Sequence, residues 1–236
     1  MRNILAISTK ELKSYFASPM AYVITAVYLV ITGYFFSMDL TAQQEATIRG
    51  FLFPGSFLLL LLAPILTMRL LAEEQKLGTI ELLLTSPVRD AEVVLGKFLS
   101  SLAILAVMLA LTLYYPMLLF WFGDPDPGPI ASGYLATLLL GSAFLAVGLL
   151  ASSLTSNQIV AAVVSFGILV IFWMIQSAAN LSLGIPGEIF NYLSLPGHFT
   201  DMAWGIIDTK DVIYYLAFTT TALFLAVRSL ETRRWR

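Results

Sequence analysis

The stretch Arg49-GFLFPGSFLLLLLAPILTM-Arg69 decides the fold of this chain. Its nineteen inner residues carry no charge, and a helix needs about 20 apolar residues to cross the hydrocarbon of a bilayer. The whole 236-residue chain has the same character, because 58% of its residues are hydrophobic and 12% are charged, against about 25% in an average soluble domain. Lipid is therefore the expected solvent for most of the chain.

Four further stretches are free of charge, between Lys13 and Asp39, Lys97 and Asp124, Asp126 and Glu188, and Asp211 and Arg228. The third is long enough for two crossings, and its polar cluster at 154–158 indicates a turn between them. The gaps predict six spans, near residues 19–38, 51–70, 98–122, 131–153, 158–179 and 211–229. The predicted fold is all-α, a polytopic membrane protein with a single transmembrane domain over residues 1–236.

Lys and Arg are distributed unequally between the two sides of these spans. Eleven of the thirteen cations fall on the side that holds both termini, and Arg49 and Lys210 fall on the other. Since cytoplasmic loops carry an excess of Lys and Arg, both termini are predicted to be cytoplasmic. The formal net charge of −2 argues against nucleic acid as a partner, because binding it requires a basic surface.

Residues 2–17, before the first span, have the pattern of an amphipathic helix. Leu5 and Phe16 belong to an apolar arc with Ile4, Ser8, Leu12 and Tyr15, whereas Lys10 and Lys13 fall opposite it. This pattern suits a helix in the lipid interface of the inner leaflet, although an ordinary juxtamembrane anchor would have it too. Ser18 followed by Pro19 predicts an N-cap and a new helix start.

Residues 69–97 form the one long predicted cytoplasmic loop. Gly78 is expected to end the helix that descends from span two, Thr79 to cap a short helix over 79–86, and Pro87 to end it. Asp90 is expected to cap the next helix, with Glu92 in its first turn. The short helix has an apolar edge that a partner should cover, made of Ile80, Leu82, Leu83 and Leu84.

Two segments on the other side are rich in proline and glycine. Residues 123–129, Gly-Asp-Pro-Asp-Pro-Gly-Pro, predict a rigid non-helical turn. Residues 180–210 are too interrupted to span, so we expect short interfacial helices or a re-entrant element there. This external segment would either cap the bundle or contribute to a substrate site.

The residues that most enzymes and ion-coupled transporters use are missing from the predicted spans. No charged residue lies clear of their ends, the one histidine (His198) is external, and there is no cysteine. Gly96-Lys97 lacks the first glycine of a phosphate-binding loop, because position 91 is alanine. We therefore expect no catalytic residue, metal or cofactor in this chain, and energy for any directed movement must come from a partner.

The run from Glu74 to Pro87, followed by Glu92 and Gly96-Lys97, resembles the E-x-x-x-G-T-x-E-x-L-x-x-x-P…E…G-K segment of ABC-2 type transporter permeases. The chain looks most like the short single-domain permeases similar to the gliding-motility ABC permease. The resemblance implies one half of a transmembrane dimer, formed with a second copy or a homologue, in a prokaryotic cytoplasmic (inner) membrane.

The resemblance also implies that two separate ATPase subunits bind ATP and magnesium and drive transport, mostly export. The 79–86 helix would be the coupling helix set in an ATPase groove. Its contact set would be Glu74, Gly78, Thr79, Ile80, Glu81, Leu82, Leu83, Leu84, Pro87, Glu92, Gly96 and Lys97.

Two alternatives to a transport permease remain. A mechanical or scaffold subunit would relay ATPase motion to a periplasmic or membrane accessory protein without passing a substrate, and an intramembrane enzyme is the third class. Polar residues inside the spans could line a pathway or an interface between helices; these are Gln176, Ser142 and Ser165.

Overall fold

The computed structural model describes residues 2–43, 47–79, 88–181 and 185–234, and within these ranges it contains helices and turns but no strand. In chain order the helices are α1 (Arg2–Ala17), α2 (Pro19–Gln43), α3 (Arg49–Thr67), α4 (Arg69–Lys76), α5 (Asp90–Thr112), α6 (Tyr114–Phe122), α7 (Pro127–Leu154), α8 (Gln158–Leu181), α9 (Ile185–Leu193), α10 (Leu195–Ala203) and α11 (Thr209–Arg234). The predicted all-α class is confirmed.

Six segments of the described chain are long and apolar enough to cross a membrane, as predicted. They are Pro19–Thr41, Arg49–Lys76, Asp90–Phe122, Pro127–Leu154, Gln158–Ala179 and Thr209–Thr232. The second and third each consist of two helices, with a break at Met68 between α3 and α4 and another at Leu113 between α5 and α6. Together with the composition, these segments make the chain an integral membrane protein.

The central helix of the bundle is α7, which packs against α3, α5, α8, α10 and α11. Small residues let neighbours approach it closely. A Cβ on Gly141 would lie 2.5 Å from Leu105, and one on Gly148 would overlap the hydroxyl of Thr67. Close approach through small residues is how membrane helices gain packing contacts. The outer helices α2, α8 and α11 instead expose large apolar side chains, as lipid-facing helices do.

The bundle has two ends. The terminal end contains α1, α4, the start of α5 and the last turns of α7 and α11, where the Ser229 hydroxyl donates to the Ser153 carbonyl at 3.3 Å. The far end contains the starts of α3, α7 and α11 together with α6, α9 and α10. There Arg49 lies over the ring of Trp204 at 4.0 Å, and a Cβ on Gly205 would lie 3.1 Å from Pro129.

The prediction of a non-helical turn over residues 123–129 was wrong for the last three of these residues. Helix α7 begins at Pro127, and the Asp126 side chain caps it by accepting from the Gly128 N–H at 3.0 Å. The first turn of a helix has N–H groups without intrahelical partners, so proline there removes no hydrogen bond. Both Pro127 and Pro129 lie in that turn.

Two predicted helix starts had different outcomes. The Ser18 hydroxyl accepts from the Met20 N–H at 3.3 Å at the start of α2, as predicted for a cap. The prediction that Asp90 caps α5 was wrong. Arg89 has the extended backbone of the N-cap residue and Asp90 is the first helical residue. The Glu92 carboxylate accepts from the Arg89 N–H at 3.1 Å, which is why the cap moves one residue earlier.

Candidate functional site

The segment that carries the family-like motif, residues 69–97, lies at the terminal end. The structure describes its flanks, which include Glu74, Gly78, Thr79, Glu92, Gly96 and Lys97. Gly78 has a φ of +70° and follows the end of α4, as expected of a glycine that stops a helix. Most of the predicted coupling helix lies outside the described residues, and so do Ile80, Glu81, Leu82, Leu83, Leu84 and Pro87.

Lys97, near the start of α5, forms the centre of an ion cluster. Its Nζ lies 3.0 Å from Oε1 of Glu11 and 2.8 Å from Oε1 of Glu74, and 1% of its side chain is exposed. The three residues come from α5, α1 and α4, so one ammonium group joins three helices. A charge buried in this way is tolerated because charged hydrogen bonds compensate for its lost hydration.

Gly96 lets α1 lie directly on α5. A Cβ at this position would be 2.8 Å from Cγ2 of Ile7 and 3.1 Å from the carbonyl oxygen of Ile4. Such contacts are too close for any side chain, so glycine is required for this packing. The Gly96-Lys97 pair therefore has a physical role here that differs from phosphate binding: the glycine admits α1 and the lysine binds it.

Further polar contacts attach α1 along its length. Near its start, Asn3 Nδ2 donates to Glu92 Oε2 at 3.2 Å. Near its end, the Tyr15 hydroxyl donates to the Leu66 carbonyl at 2.6 Å. Burial raises the pKa of Tyr15, so its hydroxyl keeps the proton that it donates. The Leu66 carbonyl lies beside the break at Met68, where a helical carbonyl needs a partner from elsewhere.

Two residues of the arc on α1 that is predicted to face lipid do not pack on the bundle, whereas Leu12 and Tyr15 of the same arc do. Leu5 and Phe16 are exposed, and so are Lys10 and Lys13 on the other side of the helix. The bundle side of α1 contains Ile4, Ile7, Glu11 and Tyr15. The prediction placed Tyr15 on the arc that faces lipid and gave Glu11 no role, although Ile7, Glu11 and Tyr15 recur at intervals of four residues and so share one helix face.

A cavity of about 480 Å³ opens beside the ion cluster. Both partners of Lys97 line it, together with Arg69 and Thr79. Oε2 of Glu74 is buried and has no hydrogen-bond partner within the described part of the chain. The cavity therefore combines charged groups of both signs with the start of the 79–86 segment.

The three polar residues that are predicted to line a pathway or an interface lie apart from one another. Gln176 accepts from the hydroxyl of Ser194 at 3.3 Å, which connects α8 to the start of α10. Ser142 is buried on α7, 3.4 Å from the Thr219 hydroxyl. Ser165 is buried on α8, with no partner for its hydroxyl among the described residues.

At the far end, His198 forms a second buried cluster. Its Nδ1 lies 2.6 Å from Asp211 Oδ1, its Nε2 lies 3.0 Å from the Tyr192 carbonyl oxygen, and its ring stacks on Tyr214 at 4.0 Å. A carbonyl can only accept, so Nε2 carries a proton, and the short Nδ1 contact shares a second proton with Asp211. The pair has no net charge, which suits its burial, and it fastens α10 to α11.

Known proteins resemble this chain over most of its length. The family described as "ABC-2 family transporter protein" matches residues 5–225. The probable multidrug ABC transporter permease YbhS is 29% identical over 191 residues in both Escherichia coli strain K12 and Escherichia coli O157:H7. These matches cover 78% of this chain and 45% of each relative. The chain therefore spans about half the length of the curated relatives it matches.

Proposed function

This chain belongs to the ABC-2 family of transporter proteins, and from that membership we propose that it is the non-catalytic permease subunit of an ATP-driven exporter. Two separate ATPase subunits would bind ATP and magnesium, and a second permease copy or a homologue would complete the transmembrane dimer. The terminal end would face the cytoplasm of a prokaryotic cell, where the excess of Lys and Arg supports it.

The observation that carries this proposal is the Lys97 cluster. It joins α4, which leads into the 79–86 segment, to α5, which leads back into the membrane, and it adds α1 through Glu11. A force applied to the 79–86 segment would therefore act on both flanking membrane helices and on α1 together. We propose that this segment is the docking element for the ATPase.

The similarity to YbhS supports transport as the purpose of this energy input. That protein is described as a probable multidrug ABC transporter permease. By analogy we propose export for this chain as well. The cargo would pass between the two permeases of the dimer.

The docking proposal is tested by co-purification of the permease with its ATPase. Replacing Glu81 and Leu83 with Lys should abolish co-purification, because both side chains are proposed to touch the ATPase, while membrane insertion stays normal. Asp124→Lys is the matched control, since it places the same side chain at an exposed position of the far end. Co-purification that survives the double substitution would overturn the docking assignment.

A mechanical subunit is the second candidate, and the far end provides the observation that favours it. The buried His198–Asp211 pair and the Gln176–Ser194 hydrogen bond hold two short helices firmly on the bundle. A fixed external surface suits binding of an accessory protein. ATP-dependent flux of a drug or lipid into vesicles favours the exporter, whereas ATPase stimulation by an external protein without flux favours the mechanical subunit.

A further inference from the structure

At the break in the second span, a side-chain hydroxyl from a different helix forms hydrogen bonds with the backbone. Ser152, near the end of α7, accepts from the N–H groups of Leu71 and Ala72 at 3.1 and 3.0 Å. Its own hydroxyl donates to the Met68 carbonyl at 3.0 Å. In a continuous helix the Ala72 N–H would pair with that carbonyl, so Ser152 inserts into the hydrogen-bond ladder where α3 ends and α4 begins.

The surroundings of Ser152 hold the two helices together at this point. The side chain is fully buried. One turn earlier, Gly148 lies against Thr67, and a Cβ there would overlap the Thr67 hydroxyl. One residue later, the Ser153 carbonyl accepts from Gln75 Nε2 at 2.9 Å. The end of the central helix therefore contacts α3 one turn before the Ser152 hydroxyl and α4 one residue after it.

The hydrogen bonds of Ser152 differ from those of other serines in these spans. Many serine hydroxyls bond to a carbonyl of their own helix, as Ser153 does with Leu150 at 2.7 Å. Ser152 bonds instead to three backbone groups of another element. An apolar side chain cannot satisfy these groups, and leaving a buried N–H or carbonyl unpaired is costly.

We infer that Ser152 is a positioning residue, which fixes the angle between α3 and α4 and makes α4 move together with α7. This inference rests on the proposed function, in which α4 leads to the docking segment. The ATPase would then act through α4 on the central helix as well as on the ion cluster. Loss of the hydroxyl would leave ATP hydrolysis running but would weaken its connection to the bundle.

The test uses the full-length permease in its complex with the ATPase, in lipid nanodiscs and in vesicles. Ser152→Ala removes the hydroxyl, and Ser152→Cys keeps the volume but bonds weakly. Ser153→Ala is the matched control. Amide hydrogen exchange at Leu71 and Ala72 should become about tenfold faster in both Ser152 variants. The number of substrate molecules moved per ATP hydrolysed should fall several-fold, and the Ser153 control should change neither value.

The possible results separate this inference from the proposal on which it rests. Unchanged exchange at Leu71 and Ala72 in both Ser152 variants would overturn the contact itself. Faster exchange with an unchanged ratio of transport to hydrolysis would overturn the positioning role. If Ser152→Ala does not insert, Ser152→Cys decides the question. If no ATPase binds the unmodified chain, the proposed function fails, and the exchange measurement on the permease alone still tests the contact.

Discussion

The hydroxyl of Tyr134 donates a 2.9 Å hydrogen bond to the carbonyl oxygen of Thr112. This carbonyl would normally accept from the residue four positions later, but that residue is Pro116, which has no N–H. The helix breaks at this point, between α5 and α6. A side chain of the central helix therefore satisfies a backbone group that proline leaves unpaired. Ser152, from the same helix, likewise donates to the Met68 carbonyl at the break in the second span, where the residue four positions later is Ala72 and no proline is involved.

Replacing Tyr134 with Phe should lower the free energy of unfolding by about 1–2 kcal/mol, because the Thr112 carbonyl then lacks a partner inside the bundle. Pro116→Ala supplies an N–H, so the same substitution should cost less than half as much in that background. Unfolding of the purified chain in mixed micelles measures both values. Tyr34→Phe, at an exposed position, is the control. An equal cost of Tyr134→Phe in both backgrounds would show that proline is not the reason for the contact.

Replacing Lys97 with Ala should be far more damaging than breaking an ion pair at the surface. It leaves the carboxylates of Glu11 and Glu74 largely buried next to each other without their cation, and we expect a loss of about 3–5 kcal/mol in unfolding free energy. Glu73→Gln breaks the 2.9 Å pair with the partly exposed Arg69 and should cost less than about 1 kcal/mol. The same micelle unfolding assay measures both. Similar losses in the two variants would contradict a central role for the cluster.

The predictable part of the fold depends on local chemistry. The uncharged run from Gly50 to Met68 predicts a span because its length matches the bilayer. Gly78 predicts a helix end because it can adopt a left-handed backbone, and Ser18 predicts a cap because its hydroxyl reaches an N–H two residues away. Each of these features requires only neighbours in the sequence.

The candidate site, in contrast, depends on contacts between residues that are far apart in the sequence. Glu11 and Lys97 are 86 residues apart, and the amphipathic pattern of α1 points to lipid rather than to a buried lysine. Ser152 and Ser153 are indistinguishable in the sequence, and the packing of α7 against α4 decides which of them reaches the break. Residues that satisfy the backbone of another helix have no local pattern, so they could not be predicted.

Replacing Gly96 with Ala should separate α1 from α5, because the added Cβ meets Ile7 at 2.8 Å. The chain has no cysteine, so a single Ser8→Cys on the buried side of α1 reports the separation by its rate of thiol labelling. We expect labelling to become at least several-fold faster in the Gly96→Ala variant. Gly167→Ala is the matched control, since a Cβ there meets nothing within 4 Å. Labelling that is unaffected by Gly96→Ala would contradict the close packing of these helices.

Replacing His198 with Ala should destabilise the far end more than replacing Asp211 with Asn does. The first change leaves a buried carboxylate without the group that shares its proton, and we expect it to cost about 3–5 kcal/mol. The second keeps a neutral partner for the imidazole and should cost about 1–3 kcal/mol. Micelle unfolding measures the totals, and faster amide exchange in α9 and α10 locates the change. Asp208→Asn is the control at an exposed position. The backbone N–H of Lys210 donates a hydrogen bond to the Asp208 carboxylate and lowers its pKa, and the side-chain oxygen of asparagine can still accept this hydrogen bond. If both cluster variants cost the same, an unpaired buried carboxylate is not what destabilises the His198→Ala variant, and the hydrogen bond that both substitutions weaken would account for the two losses.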